Sequence, residues 1–306
     1  MEKEIKLKIA GIVIRMKSRF AKEKISKKEQ KDLFYGRFKS FIYKGKKAAD
    51  IEIEVDIRQA LPRIKKSKDI FITYHPQDGK ENWRLFKNRN LYIYECRLKT
   101  KKQVMLINKN LNRVKAYLLP KKGKLFVWSF TSIVYDFLQV LLINYCAMKK
   151  TGIFIHGIGV KDTDKRGFLF AGPSGAGKTT TARLWHNHSR AFVLNDDRMI
   201  ARKFGNKFFI YGSPWHGDFS DYLASKVGRA LLDKLFFIYH AKKNILSKIS
   251  EKEAFKLLYT SSFPAFWDKD CLENIASLNT DLINSVKCLK LGFTKNKSII
   301  KFIRNA

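Results

Sequence analysis

The segment that most constrains this chain is Gly167-Phe-Leu-Phe-Ala-Gly172-Pro-Ser-Gly-Ala-Gly177-Lys178-Thr179-Thr-Thr-Ala-Arg-Leu-Trp185. Residues 172–179 match G-x-x-x-x-G-K-[ST] in full, with an apolar strand pattern before them and an amphipathic helix pattern after. Glycines 172, 175 and 177 let the backbone curl so that successive N–H groups point inward as an anion nest, and the helix N-terminus adds its dipole. The pattern therefore predicts a phosphate loop. The nucleotide contacts fall to Gly172, Ser174, Gly175, Ala176, Gly177, Lys178, Thr179 and Thr180. Lys178 is expected to reach the outer phosphates, the Thr179 hydroxyl to ligate Mg²⁺, and Thr180 to add a phosphate contact.

Magnesium held this way calls for a carboxylate nearby. Ala191-Phe-Val-Leu194 is a short apolar strand that ends in Asn195-Asp196-Asp197, 18 residues beyond Lys178. That spacing suits one helix of about three turns and a direct return. Two adjacent carboxylates at a strand end can divide two tasks, one holding the metal and the other taking a proton from an acceptor hydroxyl. His156 ends the strand pattern Ile153-Phe-Ile-His156-Gly157 and is placed to hydrogen-bond a carboxylate or a phosphoryl group. His186 and His188 flank Asn187 in a polar stretch and read as surface residues.

Composition excludes several other classes. The 306-residue chain carries 62 Lys+Arg against 27 Asp+Glu, a formal charge of +35. Such a balance invites a nucleic-acid or anionic-membrane partner. Yet Lys outnumbers Arg 46 to 16, and the lysines are spread along a chain also rich in Ile, Phe, Asn and Tyr. Codon usage biased toward A+T writes the same pattern, and Arg is the residue preferred for bidentate phosphate and base recognition. Nucleic acid is thus not the expected partner. Cys96, Cys146, Cys271 and Cys288 are widely spaced, with no C-x-x-C pair, so no zinc ribbon or disulfide framework is indicated and a reduced, cytoplasmic setting is expected. The N-terminus has charges throughout and does not read as a signal peptide. The stretch Phe126–Met148 approaches membrane length but carries Asp136 near its middle. A carboxylate at that depth costs about 2.5–3.5 kcal/mol on insertion scales, so a buried helix is expected and no membrane span.

Residues 1–122 read as a β-rich N-terminal domain, with strand patterns at 5–9, 51–57, 70–74, 83–86, 91–98, 104–107 and 114–118 and a Lys/Glu-rich helix or linker over roughly 22–40. Pro120-Lys-Lys-Gly123 marks the expected boundary. Residues 123–306 read as α/β material.

Three elements occur in order: Ile155-His156-Gly157, the loop Gly172–Thr179, and Val193-Leu-Asn-Asp196-Asp197. Their order resembles the HPr kinase/phosphorylase group and its relatives, the ATP-dependent phosphoenolpyruvate carboxykinases, convincingly over about residues 150–215. The resemblance implies an α/β fold, with a P-loop core like that of the HPr kinases and PEP carboxykinases beside the β-rich N-terminal domain. It implies an enzyme, an ATP- and Mg²⁺-dependent kinase acting on a hydroxyl of a peptide, a protein or a small molecule. Asp196 would be the catalytic base, Asp197 the carboxylate at the magnesium site with Thr179, His156 the partner of the base, and Lys178 the phosphate ligand. Tyr211-Gly-Ser-Pro-Trp215-His-Gly-Asp218 and Phe263-Pro-Ala-Phe-Trp267-Asp extend the resemblance to uncharacterised HPr-kinase-like proteins. The first would be a loop on the active-site side after a hairpin over 199–210, where His216 or Asp218 could meet substrate. The second reads as core packing. No Glu-x-Arg-Gly-Leu-Gly-Ile signature follows the aspartates, so HPr itself is not the acceptor indicated. Phosphoenolpyruvate carboxykinases are far longer chains. The competing reading is a nucleotide-binding regulatory or assembly protein with no phosphoryl acceptor; a homo-oligomer is compatible with either.

Overall fold

The structure, a computed structural model, describes residues 2–19, 38–58, 60–64, 69–74, 79, 81–88, 90–98, 101–119, 130–217 and 227–305. Most of the helix or linker expected over 22–40, the boundary at 120–123 and Asp218 lie outside the described residues. The chain divides into two units, Met1–Tyr145 with Phe266–Lys269 and Cys146–Ala265 with Asp270–Ala306.

In the first unit, β1 (Glu2–Ile9), β2 (Ile12–Arg19), β3 (Ile51–Ile57), β4 (Asp69–Tyr74), β5 (Glu81–Asn88), β6 (Leu91–Leu98), β7 (Lys101–Asn108) and β8 (Arg113–Leu118) form one sheet. Its order is β1-β2-β3-β8-β7-β6-β5-β4, parallel at β2–β3 and β3–β8 and antiparallel elsewhere. Strict alternation in β3 explains its central place. Ile51, Ile53 and Val55 are buried, while Glu52 turns to the other side and pairs with Arg15. Strand β2 was not anticipated, because charges at Arg15 and Lys17 interrupt its apolar pattern. They sit on the face away from Ile14 and Met16, which are fully buried.

A π-helical turn, Ile133–Leu138, leads into α1 (Gln139–Met148). The run Phe130–Met148 is the one described helix long and apolar enough to cross a membrane, and 67% of its apolar window is buried within the protein. Asp136 is accommodated locally: its carboxylate accepts from Ser132 Oγ at 2.8 Å, and its carbonyl accepts from Tyr94 Oη at 3.1 Å. The segment Phe263–Trp267 packs as expected, with Ala265 and Trp267 buried and Phe266 stacked on Phe71 at 4.0 Å.

The second unit contains β9 (Gly152–Lys161), β10 (Arg166–Ala171), α2 (Lys178–His188), β11 (Phe192–Asn195), β12 (Arg198–Phe204), β13 (Lys207–Tyr211), β14 (Arg229–His240), β15 (Ile245–Lys248), α3 (Glu251–Ser261), α4 (Lys269–Ser285), β16 (Lys287–Phe293) and α5 (Ser298–Arg304). Its sheet runs β10-β9-β12-β13-β14-β16-β15, with β11 also on β9. A further parallel pairing joins β10 to β14, so β10, β9, β12, β13 and β14 form a closed ring. Phe168, Phe170, Trp185 and Phe236 fill the core beside the ring, together with Ile299 and Ile303 of α5.

The expected α/β class, with a core like that of HPr kinases and PEP carboxykinases, is overturned. Strand accounts for 44% of the described structure and helix for 28%, and both sheets are large and mixed. The physical reason lies in the connections. Parallel neighbours need long crossovers, whereas antiparallel ones can be joined by a tight turn. Here β9–β10 and β12–β13 are tight antiparallel pairs, and helical crossovers are confined to β10–α2–β11 and the stretch between β14 and β16.

The C-terminal helix is tied to β9 by a bidentate pair. Arg304 Nε and Nη2 donate to the buried carboxylate of Asp162 at 2.8 and 2.7 Å. Burial raises the Asp162 pKa, but the hydrogen bonds from Arg304 and the Thr163 amide outweigh it and hold the group below its ordinary range. Arg304→Met leaves the buried Asp162 carboxylate with the Thr163 amide but without its guanidinium donors, and is expected to cost roughly 1.5–3 kcal/mol in chemical denaturation. Because the folded-state pKa is depressed, this stabilisation is complete above the unfolded value of about 3.9 and is lost as pH falls through the lower folded value. Wild type and Arg304→Met should therefore converge in stability in strong acid.

Candidate functional site

Three strands converge where β10 ends. Ala171 lies beside Gly157 of β9 on one edge and Phe237 of β14 on the other. The chain then leaves the sheet as the glycine loop and enters α2 at Lys178, with Gly177 as N-cap. Gly177 has φ +97°, and a Cβ there would stand 2.5 Å from Phe293 Cζ, so both backbone and space demand glycine. Ala176 turns into the core rather than outward, and its N–H donates to the Pro173 carbonyl at 3.2 Å. His240, at the end of β14, lies with its Nε2 2.9 Å from the Gly175 carbonyl oxygen.

Lys178 folds back over the loop, and its ammonium donates to the carbonyls of Gly172 and Pro173 at 2.8 and 2.9 Å. Burial pushes its pKa down, opposed by the charge of Asp197.

The turn between β11 and β12 is built by Asn195, which is fully buried. Its Oδ1 accepts from the amides of Asp197 and Arg198, each at 2.8 Å, and its Nδ2 donates to the carbonyls of Ser213 and Trp215. The side chain thus mimics a backbone turn and docks the 213–217 segment on it. This sends the two aspartates to different partners. Asp196 Oδ1 accepts from the Gly217 amide at 2.9 Å, an approach close enough that a Cβ on Gly217 would lie 3.1 Å from the other carboxylate oxygen. Asp197 pairs with His156 Nδ1 at 2.6 Å and with Arg198. Burial raises the Asp197 pKa, but the His156 hydrogen bond, Arg198 and Lys178 outweigh that and hold its carboxyl below the ordinary range.

The resemblance paired His156 with Asp196; in the structure His156 Nδ1 lies 2.6 Å from Asp197 Oδ1. The cause is register. His156 stands opposite Arg198, and the Gly157 amide donates to the Asp197 carbonyl at 3.1 Å, which draws Asp197 alongside the histidine.

His156, Ser174, Gly175, Gly177, Lys178, Thr179, Thr180, Asp196 and Asp197 all line one cleft of about 460 Å³. Gly172 contributes through its carbonyl bond to Lys178. Gly217, His240 and Lys295 complete the lining and Arg198 and Asn195 shape it, and none of the five has a functional role assigned by its motif. Gly217 and Asn195 stand inside motifs quoted for other residues, whereas His240 and Lys295 carry no local signal at all. His186 and His188 are exposed at the end of α2. Trp215 is buried near Phe154, and His216 is half-buried with its Nδ1 2.9 Å from the Gly217 carbonyl oxygen.

Among the described residues no group of three or more His, Cys, Asp or Glu side chains is placed to hold a metal unaided. Thr179 and Asp197 in one cleft fit Mg²⁺, which takes one or two protein ligands and completes its shell with water and phosphate. Together these groups can bind a polyphosphate, hold a cation against it and accept a proton beside it. The chain matches no protein-family model and no curated protein.

Gly177→Ala is expected to cost on the order of 1–2 kcal/mol from left-handed backbone strain alone, before Phe293 is displaced. A lower melting temperature is the expected outcome.

Proposed function

We propose that this chain is an ATP- and Mg²⁺-dependent kinase that transfers the γ-phosphoryl group to a hydroxyl. The observation that carries this reading is the convergence of the glycine loop, Lys178, Asp196, Asp197 and His156 on one cleft. The ordered motifs shared with the HPr kinase group support the same chemistry.

The loop amides and Lys178 bind the phosphates of the nucleotide. Thr179 and Asp197 would hold magnesium, which when bound neutralises charge on the phosphate oxygens. His156 and Arg198 act as positioning residues, fixing the Asp197 carboxylate and keeping it ionised. Asp196 is oriented by the Gly217 amide and takes the proton of the acceptor hydroxyl. The acceptor oxygen forms a bond to the γ-phosphorus, the bond from phosphorus to the β–γ bridging oxygen breaks, and ADP departs with the electron pair.

Asp196→Asn removes the proton acceptor at almost constant shape. Transfer of ³²P from ATP should fall by about 10²–10⁴-fold, while Mg-ATP affinity in calorimetry stays close to that of the wild type. Retained transfer in this variant overturns the assignment. Lys178→Met should instead weaken ATP binding itself, since it removes the ammonium that meets the outer phosphates.

A further inference from the structure

Beside the phosphate cleft lies a larger cavity of about 1080 Å³. The two share His156, Ser174, Gly175 and His240. The larger one follows the start of the loop, Gly172–Ala176, and neither Thr179 nor Thr180 lines it. In a phosphate loop the threonine that follows the lysine serves the metal, and the lysine reaches the outer phosphates. Lys178, Thr179, Asp196 and Asp197 line the phosphate cleft alone, and the larger cavity meets that cleft at His156, which lines both and bonds to Asp197.

Its lining is amphipathic. Phe237 and Ile238 at the end of β14 and Leu257 of α3 supply an apolar wall, with Phe237 and Ile238 almost fully buried. Lys248, Lys290 and Glu253 supply a charged margin. Glu253 is already engaged by Lys290, whereas among the described residues no carboxylate pairs with Lys248. The volume of about 1080 Å³ lies just above the range of about 300–1,000 Å³ typical of sites that enclose small ligands.

Resting on the kinase reading, we propose that this cavity is the acceptor subsite and takes a small hydroxy acid. The apolar body lies against Phe237 and Leu257, and the anionic group meets Lys248. The hydroxyl reaches past His156, loses its proton to Asp196 and bonds to the γ-phosphorus as ADP leaves. A charged margin beside an apolar wall suits such a molecule, whereas a serine on a protein surface brings flanking backbone with it.

The test uses the full chain and a panel of hydroxy acids of graded apolar size: lactate, 2-hydroxyoctanoate, 3-phenyllactate and 3-(4-hydroxyphenyl)lactate. Binding is read by saturation-transfer NMR and calorimetry, in the wild type, Leu257→Trp and Lys248→Glu. At least one apolar member should bind the wild type more tightly than about 1 mM and lose about tenfold or more in both variants. Mg-ATP affinity should stay within about twofold and the melting temperature should be unchanged, which separates pocket filling from misfolding. The proposal is overturned if no member binds, if binding ignores both substitutions, or if a serine peptide is phosphorylated equally by wild type and Leu257→Trp. Should Mg-ATP fail to bind while a hydroxy acid still depends on Leu257 and Lys248, the kinase reading falls. The acceptor assignment then falls with it, and the cavity stands as a ligand site alone.

Discussion

The candidate site depends on one pairing, the parallel contact of β10 with β14. Without it the second sheet would be an open ladder, and the loop after β10 would have a neighbour on one edge only. With it, the C-terminal end of β10 lies between Gly157 and Phe237, so His156 and His240 arrive beside the glycine loop from strands on opposite edges. Backbone hydrogen bonds fix those positions before any side chain is considered. Rigid strand ends hold a chemical constellation more tightly than a free loop can.

A second constraint shapes the electrostatics. Asn195 closes the turn after β11 through its Oδ1 and docks Ser213 and Trp215 through its Nδ2, and in doing so it sends two adjacent carboxylates to different partners. Asp197 is placed among His156, Arg198 and Lys178, and Asp196 is turned toward the Gly217 amide. Two identical side chains thereby acquire different environments. That is the condition under which neighbouring carboxylates take different tasks. The strong positive charge of the chain has little part in this; the His156 hydrogen bond and the neighbouring Arg198 and Lys178 hold the Asp197 pKa down.

Much of the local structure was legible in the sequence. Alternation in residues 51–57 and the apolar run before Gly172 declared their strands, and the glycine–lysine–threonine spacing declared the loop. Asp136 argued that the long apolar helix is a buried one, and its hydrogen-bonded place within the first unit shows how the carboxylate is tolerated. The fold class was misread because local patterns do not state which strands pair. Strands β12 and β13 were recognised as a hairpin, but nothing local said that the hairpin joins a ring rather than flanking a parallel sheet. The partner of His156 was misassigned for a similar reason: whether it meets Asp196 or Asp197 depends on the register between β9 and β12.

What the sequence determined by itself was the chemistry available: a loop able to adopt positive φ at Gly175 and Gly177, a lysine at the start of α2, and two carboxylates at a strand end. Those are properties of residue type and spacing within a few turns of chain. Only the tertiary structure decided which of them share a cleft, that His240 and Lys295 join them, and that a larger amphipathic cavity adjoins it. These rest on pairings between strands about 65 residues apart, such as β10 with β14. Pairing energy at that separation is set by the whole sheet rather than by either strand alone.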